Sequence, residues 1–187
     1  RLDLITRFEQ VDLSYLNRFE RHSNIKTDEV PVTVKSYGEQ TVAPEISIIV
    51  PLYGRLDFIE HQLLAFCKDA DFAEKVEVVY VLDDPTLEMP MKGLAPILQR
   101  LTRCAFRVVS NGRNGGFAKA CNLGASQARG EVLIFVNSDV FPRHSGWATG
   151  LSDVLKSNED IGIVSPRLLF PDEGLQHAGM VPIWRDA

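Results

Sequence analysis

From Glu45 onward, apolar residues fall alternately into short runs and into helical stripes. EISIIVP (45–51) is a short apolar run ended by Pro51, which predicts a strand. RLDFIEHQLLAFC (55–67) then carries apolar residues at 56, 59, 63 and 66–67, a spacing that predicts a helix. VEVVYVL (76–82) reads as a second strand, closed by Asp83-Asp84-Pro85. A second helix is expected over roughly 91–103, and AFRVVS (105–110) as a third strand. Asn111 to Gly116 make a Gly/Asn-rich turn. After it, Phe117, Ala120, Cys121, Gly124, Ala125 and Ala128 recur at helical spacing, and their small size lets that helix lie close against a sheet. VLIFV (132–136) reads as a fourth strand, buried on both faces. Trp147, Leu151, Val154 and Leu155 mark a further helix, and IGIVSPRLL (161–169) a fifth strand.

Strands alternating with helices imply βαβ units and an α/β fold with a mainly parallel sheet. Unbroken apolar strands fit such a sheet, because helices cover both of its faces. Ligands then bind at the carboxyl ends of the strands. Residues 1–44 differ. LDLITRFEQVDLSYLNRFERH has helical spacing through Leu4, Phe8, Leu13, Leu16 and Phe19 but is highly charged, and the polar stretch KSYGEQTVAPE follows it. This segment is read as a lead-in helix and linker, and residues 45–187 as the domain.

Composition narrows the function classes. The chain is 45% hydrophobic and 24% charged, as in ordinary soluble domains. A net charge of -5 without a Lys/Arg cluster argues against nucleic-acid binding. No stretch of about 18 apolar residues is present to span a membrane, and the N-terminus lacks a signal-peptide pattern. Cys67, Cys104 and Cys121 are odd in number and lack CxxC spacing, so they are read as reduced core residues of a cytosolic protein. His22, His61, His144 and His177 lack metal-ligand spacing. The chain begins at Arg1 and ends without an evident stop signal, and is read as part of a longer protein.

The chemistry gathers where strands end. Pro51-Leu52-Tyr53-Gly54 follows the first, Asp83 and Asp84 the second, Asn111 and the Gly-rich turn the third, and Asn137-Ser138-Asp139 the fourth. Each has an ordinary reading too. Asp83-Asp84-Pro85-Thr86 is common turn chemistry, Tyr53 can cover a sheet edge, Asn114-Gly115-Gly116 can simply precede a helix, and Asp139 can cap one. In a parallel sheet, however, all four groups share one rim. GxGxxG, GxxxxGK[ST] and GxSxG are all absent, which removes the dinucleotide, Walker and hydrolase-elbow readings. An acidic rim repels a bare diphosphate, and a divalent cation resolves the conflict. Mg²⁺ is typically held by one or two carboxylates plus substrate phosphates, so Asp139 could bridge to a diphosphate through Mg²⁺ or Mn²⁺.

These residues, in this order, resemble family 2 glycosyltransferases of the GT-A fold. The resemblance runs through ISIIVPLYGR (46–55), VEVVYVLDDPT (76–86), NGGFAKACNLGASQARGEVLIFVNSDV (114–140) and GIVSPRLLFPDEGLQHAGM (162–180). It implies that Pro51 and Tyr53 contact the nucleoside, Tyr53 by packing on the base. It implies that Asp83 and Asp84 read the base, that Asn114 and Gly116 line the nucleotide, and that Asn137-Ser138-Asp139 is the Asp-x-Asp motif. In that motif Asp139 is the metal ligand and Asn137 faces the ribose or donor sugar. His177 lies in a GLQHAG segment that recurs in bacterial members, with no role assigned.

Three departures stand out. Asn137 replaces the first acidic residue of the triplet, so the charge rests on Asp139. Pro85-Thr86 replaces the usual Gly-Ser. The general base of the acceptor half, an Asp or Glu, has no candidate here and is expected beyond residue 187. The resemblance implies inverting transfer from a UDP- or dTDP-linked sugar to a glycan or lipid-linked acceptor in polysaccharide biosynthesis. It also implies a cytoplasmic location, at the inner membrane face in the full-length protein. A sugar nucleotidyltransferase would need a basic Gly-rich loop after the first strand, where LYGRLD offers only Arg55. A nucleotide-sugar-binding domain without turnover is the other alternative.

Overall fold

A computed structural model describes residues 31–69 and 72–179. A compact unit begins at Val32, ahead of the expected boundary at 44. The lead-in helix expected near the N-terminus lies outside the described residues. Five strands form the main sheet: β1 (Thr33–Tyr37), β2 (Ile46–Leu52), β3 (Val76–Leu82), β4 (Phe106–Ser110) and β5 (Val132–Phe135), in the order β1-β4-β3-β2-β5. β4, β3, β2 and β5 are parallel, and β1 is antiparallel on β4. The helices are α1 (Ile59–Phe66), α2 (Phe72–Lys75), α3 (Glu88–Thr102), α4 (Phe117–Gln127) and α5 (Trp147–Lys156). A small antiparallel pair, β6 (Leu168–Leu169) and β7 (Leu175–His177), stands apart from this sheet. The α/β, mainly parallel expectation therefore holds.

Helices cover both faces of the sheet, as the apolar strands require. On one face Ile46, Ile48 and Val50 of β2 pack with Val78 and Tyr80 of β3 against Ile59, Leu63 and Phe66 of α1, Met91, Ala95 and Leu98 of α3, and Ala148 of α5. On the other, Ile49, Val79, Val81 and Val109 meet Ala120 of α4. α4 comes this close because Gly124 has no side chain: a Cβ there would lie 2.8 Å from the Val81 Cγ2 and press on Ile49 as well. The small-residue stripe of α4 is thus a packing surface, as its sequence indicates.

Four expectations need correction. First, Thr33–Tyr37 lies in the stretch read as linker but forms edge strand β1; Tyr37 pairs with Phe106, and their rings stack at 5.3 Å. Its side chains are mostly exposed, so no apolar alternation betrays it. Second, β5 is not buried on both faces. It is a sheet edge among the described residues, and Leu133 and Phe135 are 38% and 50% exposed. Third, the fifth strand over 161–169 shrinks to Leu168–Leu169 in the separate pair, and Ile163 is 90% exposed. Fourth, Cys67 and Cys104 are joined as a disulfide, with Cα atoms 6.0 Å apart, and only Cys121 remains a buried free thiol.

A buried ionic knot holds the amino-terminal end of the sheet. The Glu77 carboxylate accepts from Ser47 Oγ at 2.6 Å, Arg107 Nη2 at 2.8 Å, and the Arg129 backbone N–H and Nε at 2.6 and 2.8 Å. Ser47 Oγ also accepts the Gly130 N–H at 2.8 Å. Burial alone would raise the Glu77 carboxyl; the donors and the Arg107 charge outweigh it and hold the group below its usual range. The knot fixes the chain where it enters β5, and β5 leads directly to the triplet. Gly130 suits this passage because a Cβ would strike the Ile46 and Ser47 backbone at 2.6–2.7 Å.

Candidate functional site

The carboxyl ends of the parallel strands form one rim. Leu52, Leu82 and Ser110 align across β2, β3 and β4, and the β2–β5 ladder ends at Ile49 and Phe135, two residues before Asn137. Beyond these ends lie Tyr53, Asp83, the 111–116 turn and the triplet. The ladder register therefore brings together the groups that the sequence singled out.

The two aspartates after β3 have different local tasks. Asp83 is only 6% exposed, and its Oδ1 accepts the Gly115 N–H at 2.7 Å. That bond ties the Gly-rich turn to β3. Gly115 would crowd this contact if substituted, because its Cβ would lie 3.0 Å from Lys119 Cβ and 3.6 Å from Asp83 Oδ1. Asp84 is half-buried and caps the turn Pro85–Leu87 that leads into α3: its Oδ1 accepts from Thr86 Oγ1 at 2.7 Å and Thr86 N at 2.9 Å. The Thr86 hydroxyl and N–H, aided by the Gly54 N–H, hold the Asp84 carboxyl below its usual range. Pro85-Thr86 thus preserves a capped turn that positions the Asp84 carboxylate.

Asn114 closes its own turn by accepting the Gly116 N–H on Oδ1 at 3.1 Å. Gly116 has φ +84°, a left-handed conformation that favours glycine, and precedes α4. No side chain caps the first turn of α4, which leaves the N–H groups at its positive dipole end without a side-chain partner. Pro51 is half-buried in β2, and the Tyr53 ring is 64% exposed beyond it. Gly54 has φ +72°, which turns the chain sharply before Arg55.

The triplet forms a reverse turn. The Val140 N–H donates to the Asn137 carbonyl at 3.1 Å, leaving Ser138 and Asp139 at the tip. Asn137 and Asp139 are exposed and Ser138 is half-buried. Arg55 pairs chiefly with Asp57 and lies over the Phe58 ring at 4.3 Å; Asp139 is close enough to add a smaller stabilisation to its charge. No cluster of three or more His, Cys, Asp or Glu side chains able to hold a metal occurs among the described residues. His177 lies on β7, opposite Leu168, in the small separate sheet.

Sequence reasoning missed Gln62. This α1 residue is fully buried and supports the triplet turn from beneath. A signal was present, since residues 59, 62, 63 and 66 form the buried stripe of α1 and Gln62 is its polar member.

Comparison with known proteins shows the family of the chain. Residues 47–180 match the model of the family described as Glycosyl transferase family 2. The chain is 30% identical over 155 residues to the O-antigen biosynthesis protein RfbC of Myxococcus xanthus, covering 76% of this chain and 11% of that protein. It is 24% identical over 152 residues to the uncharacterized protein y4gI of Sinorhizobium fredii, covering 81% of this chain and 16% of that one. The chain thus spans a small fraction of each relative. Among solved structures, it is similar to the mannosyltransferase PcManGT from Pyrobaculum calidifontis in complex with GDP-Man and Mn²⁺, at 23% identity and a TM-score of 0.48, over 76% of this chain and 39% of that one. It is also similar to S. aureus TarS 1-349 in complex with UDP-GlcNAc, at 25% identity and a TM-score of 0.48, over 68% of this chain and 38% of that one. With the family model matching most of its length, the chain belongs to glycosyl transferase family 2.

Proposed function

We propose that this chain is the donor-binding part of an inverting glycosyltransferase that uses a UDP- or dTDP-linked sugar and a divalent cation, Mn²⁺ or Mg²⁺. The observation that carries this reading is the shared rim, where Tyr53, Asp83, Asp84, the Asn114–Gly116 turn and Asn137-Ser138-Asp139 follow the ends of adjacent parallel strands. The exposed Tyr53 ring offers a stacking face for a base beside Pro51. Asp83 keeps its second carboxylate oxygen for the base, because Gly115 occupies Oδ1. Asp84, held ionised, is the other acceptor for a base N–H. Gly116 and the uncapped start of α4 suit the approach of a diphosphate.

Asp139 fits a cation that arrives with its substrate. Its carboxylate is exposed at the turn tip, and its neighbouring cation Arg55 is engaged chiefly by Asp57. One carboxylate plus phosphate oxygens is a usual donor set for Mg²⁺. The cation would supply Lewis-acid stabilisation of the departing nucleoside diphosphate. Asn137, neutral at the other end of the triplet, is left to hydrogen-bond the ribose or donor sugar. The general base that deprotonates the acceptor hydroxyl belongs to a further part of the protein. The acceptor is a glycan or lipid-linked saccharide of polysaccharide assembly, a reading supported by the likeness to RfbC.

The test is Asp139→Ala in the full-length protein. Metal-dependent transfer should fall by at least ~100-fold, the scale of losing one transition-state charge stabiliser. Unchanged metal-dependent transfer would remove Asp139 from the metal site.

A further inference from the structure

We infer that Gln62 is the positioning residue for the triplet turn and that it, with Tyr80 behind it, sets the affinity of the rim for a metal–diphosphate ligand. The inference rests on the function proposed above and names a residue outside the rim on which that function depends.

The geometry is a chain of three hydrogen bonds, one buried and two part-buried. The Tyr80 hydroxyl donates to Gln62 Oε1 at 3.2 Å. Gln62 Nε2 donates to the Asn137 carbonyl and to the Val140 carbonyl, both at 3.0 Å. Those carbonyls belong to the first and last residues of the turn that the Val140 N–H closes on Asn137. One amide group therefore grips both feet of the turn, while Ser138 and Asp139 sit at its tip.

The orientation of the amide follows from its partners. Carbonyls can only accept, so the –NH₂ side of Gln62 must face the turn. Both N–H donors are then consumed, and Oε1 remains for a donor. Tyr80 supplies it: burial pushes the phenol far above its ordinary range, so the hydroxyl stays protonated. Gln62 and Tyr80 are both 0% exposed, so water does not substitute for the bond between them.

A buried glutamine can serve stability alone. Two features point further. Its two acceptors are the ends of the one turn that bears the only acidic group of the triplet. At the tip Asp139 is exposed and Ser138 half-buried, and neither side chain makes a hydrogen bond among the described residues, so the turn is held at its feet, by the Val140 N–H and by Gln62. Outer supports that orient a metal ligand typically change affinity by about 10–100-fold when removed.

The experiment measures binding of UDP with and without Mn²⁺, by calorimetry, in the intact protein and in Gln62→Met and Tyr80→Phe. Methionine fills the glutamine volume but donates nothing. Gln62→Met should weaken Mn²⁺-dependent UDP binding by ~10-fold or more while metal-free UDP binding changes by less than about 2-fold. Tyr80→Phe keeps the grip but releases Oε1, and should give a smaller loss of the same selective kind. If Gln62→Met does not fold, Tyr80→Phe must still show that selective loss. Equal loss of metal-dependent and metal-free binding, or no loss in either variant, overturns the positioning role. Absence of Mn²⁺-dependent binding in the unaltered protein overturns the proposed metal site, and this inference falls with it.

Discussion

Glu77→Gln tests the ionic knot that anchors the entry to β5. The substitution keeps shape but removes the charge facing Arg107 and Arg129, and turns an amide N–H₂ toward guanidinium donors. Glu77 is 2% exposed and Arg107 is 8% exposed, so solvent replaces little of what is lost. Removing one partner of a buried ion pair typically costs about 3–5 kcal/mol, a large part of the ~5–15 kcal/mol that holds a domain folded. With a urea slope of about 2 kcal/mol/M, the unfolding midpoint should drop by roughly 2 M. Urea titrations followed by tryptophan fluorescence provide the assay, since Trp147 stacks on Phe66 in the core at 5.5 Å.

The pH dependence has a definite sign. The folded Glu77 carboxyl lies below its usual value of 4.5, so its stabilisation is complete above that value and fades as pH falls through the lower folded one. Acid should therefore narrow the gap between the two proteins, with Glu77→Gln showing the shallower acid loss. A destabilisation under about 1 kcal/mol, within the range of a surface ion pair, or identical acid limbs, would refute the reasoning.

Two further predictions concern packing and covalent structure. Gly124→Val should destabilise the domain by about 1–3 kcal/mol or more, because α4 cannot retreat from Ile49 and Val81 without losing its own burial; thermal unfolding checks this, and an unchanged midpoint contradicts it. Thiol titration of the unfolded, unreduced chain should find one free cysteine, Cys121, and reduction should lower stability by about 2–4 kcal/mol. Three titratable thiols would restore the reduced state expected of a cytosolic protein.

Much of the sheet is legible in the sequence because β2, β3 and β4 are largely apolar on both faces; Asp83 and Asn111 directly follow β3 and β4, whereas β2 runs through Pro51, where the sequence suggests it stops, to Leu52. The α4 stripe is legible because only small residues repeat there. β1 is not, since an exposed edge strand such as TVKSY needs no apolar pattern. β5 misleads in the opposite direction: VLIF has the composition of a central strand, and sequence cannot say whether a neighbour covers Leu133 and Phe135. The Cys67–Cys104 pairing depends on a meeting between the end of α1 and the approach to β4, which spacing alone does not encode. Among the rim residues, identity is visible in sequence but local duty is not. Asp83 and Asp84 read as a pair, yet one ties down the Gly-rich turn and the other caps the entry to α3. Gln62 is hidden because a polar side chain in an amphipathic helix reads as solvent-facing until its neighbours at 59, 63 and 66 are seen to be buried.

In the proposed site one carboxylate, Asp139, recruits a cation together with a nucleoside diphosphate. Calorimetric titration of UDP into the protein, with Mn²⁺ and then with chelator, tests it most directly. Binding should be at least ~10-fold tighter with Mn²⁺, a gain of about 1.4 kcal/mol, and that gain should be lost in Asp139→Ala while metal-free binding persists. Equal binding with Mn²⁺ and with chelator, or a gain that survives Asp139→Ala, would contradict it.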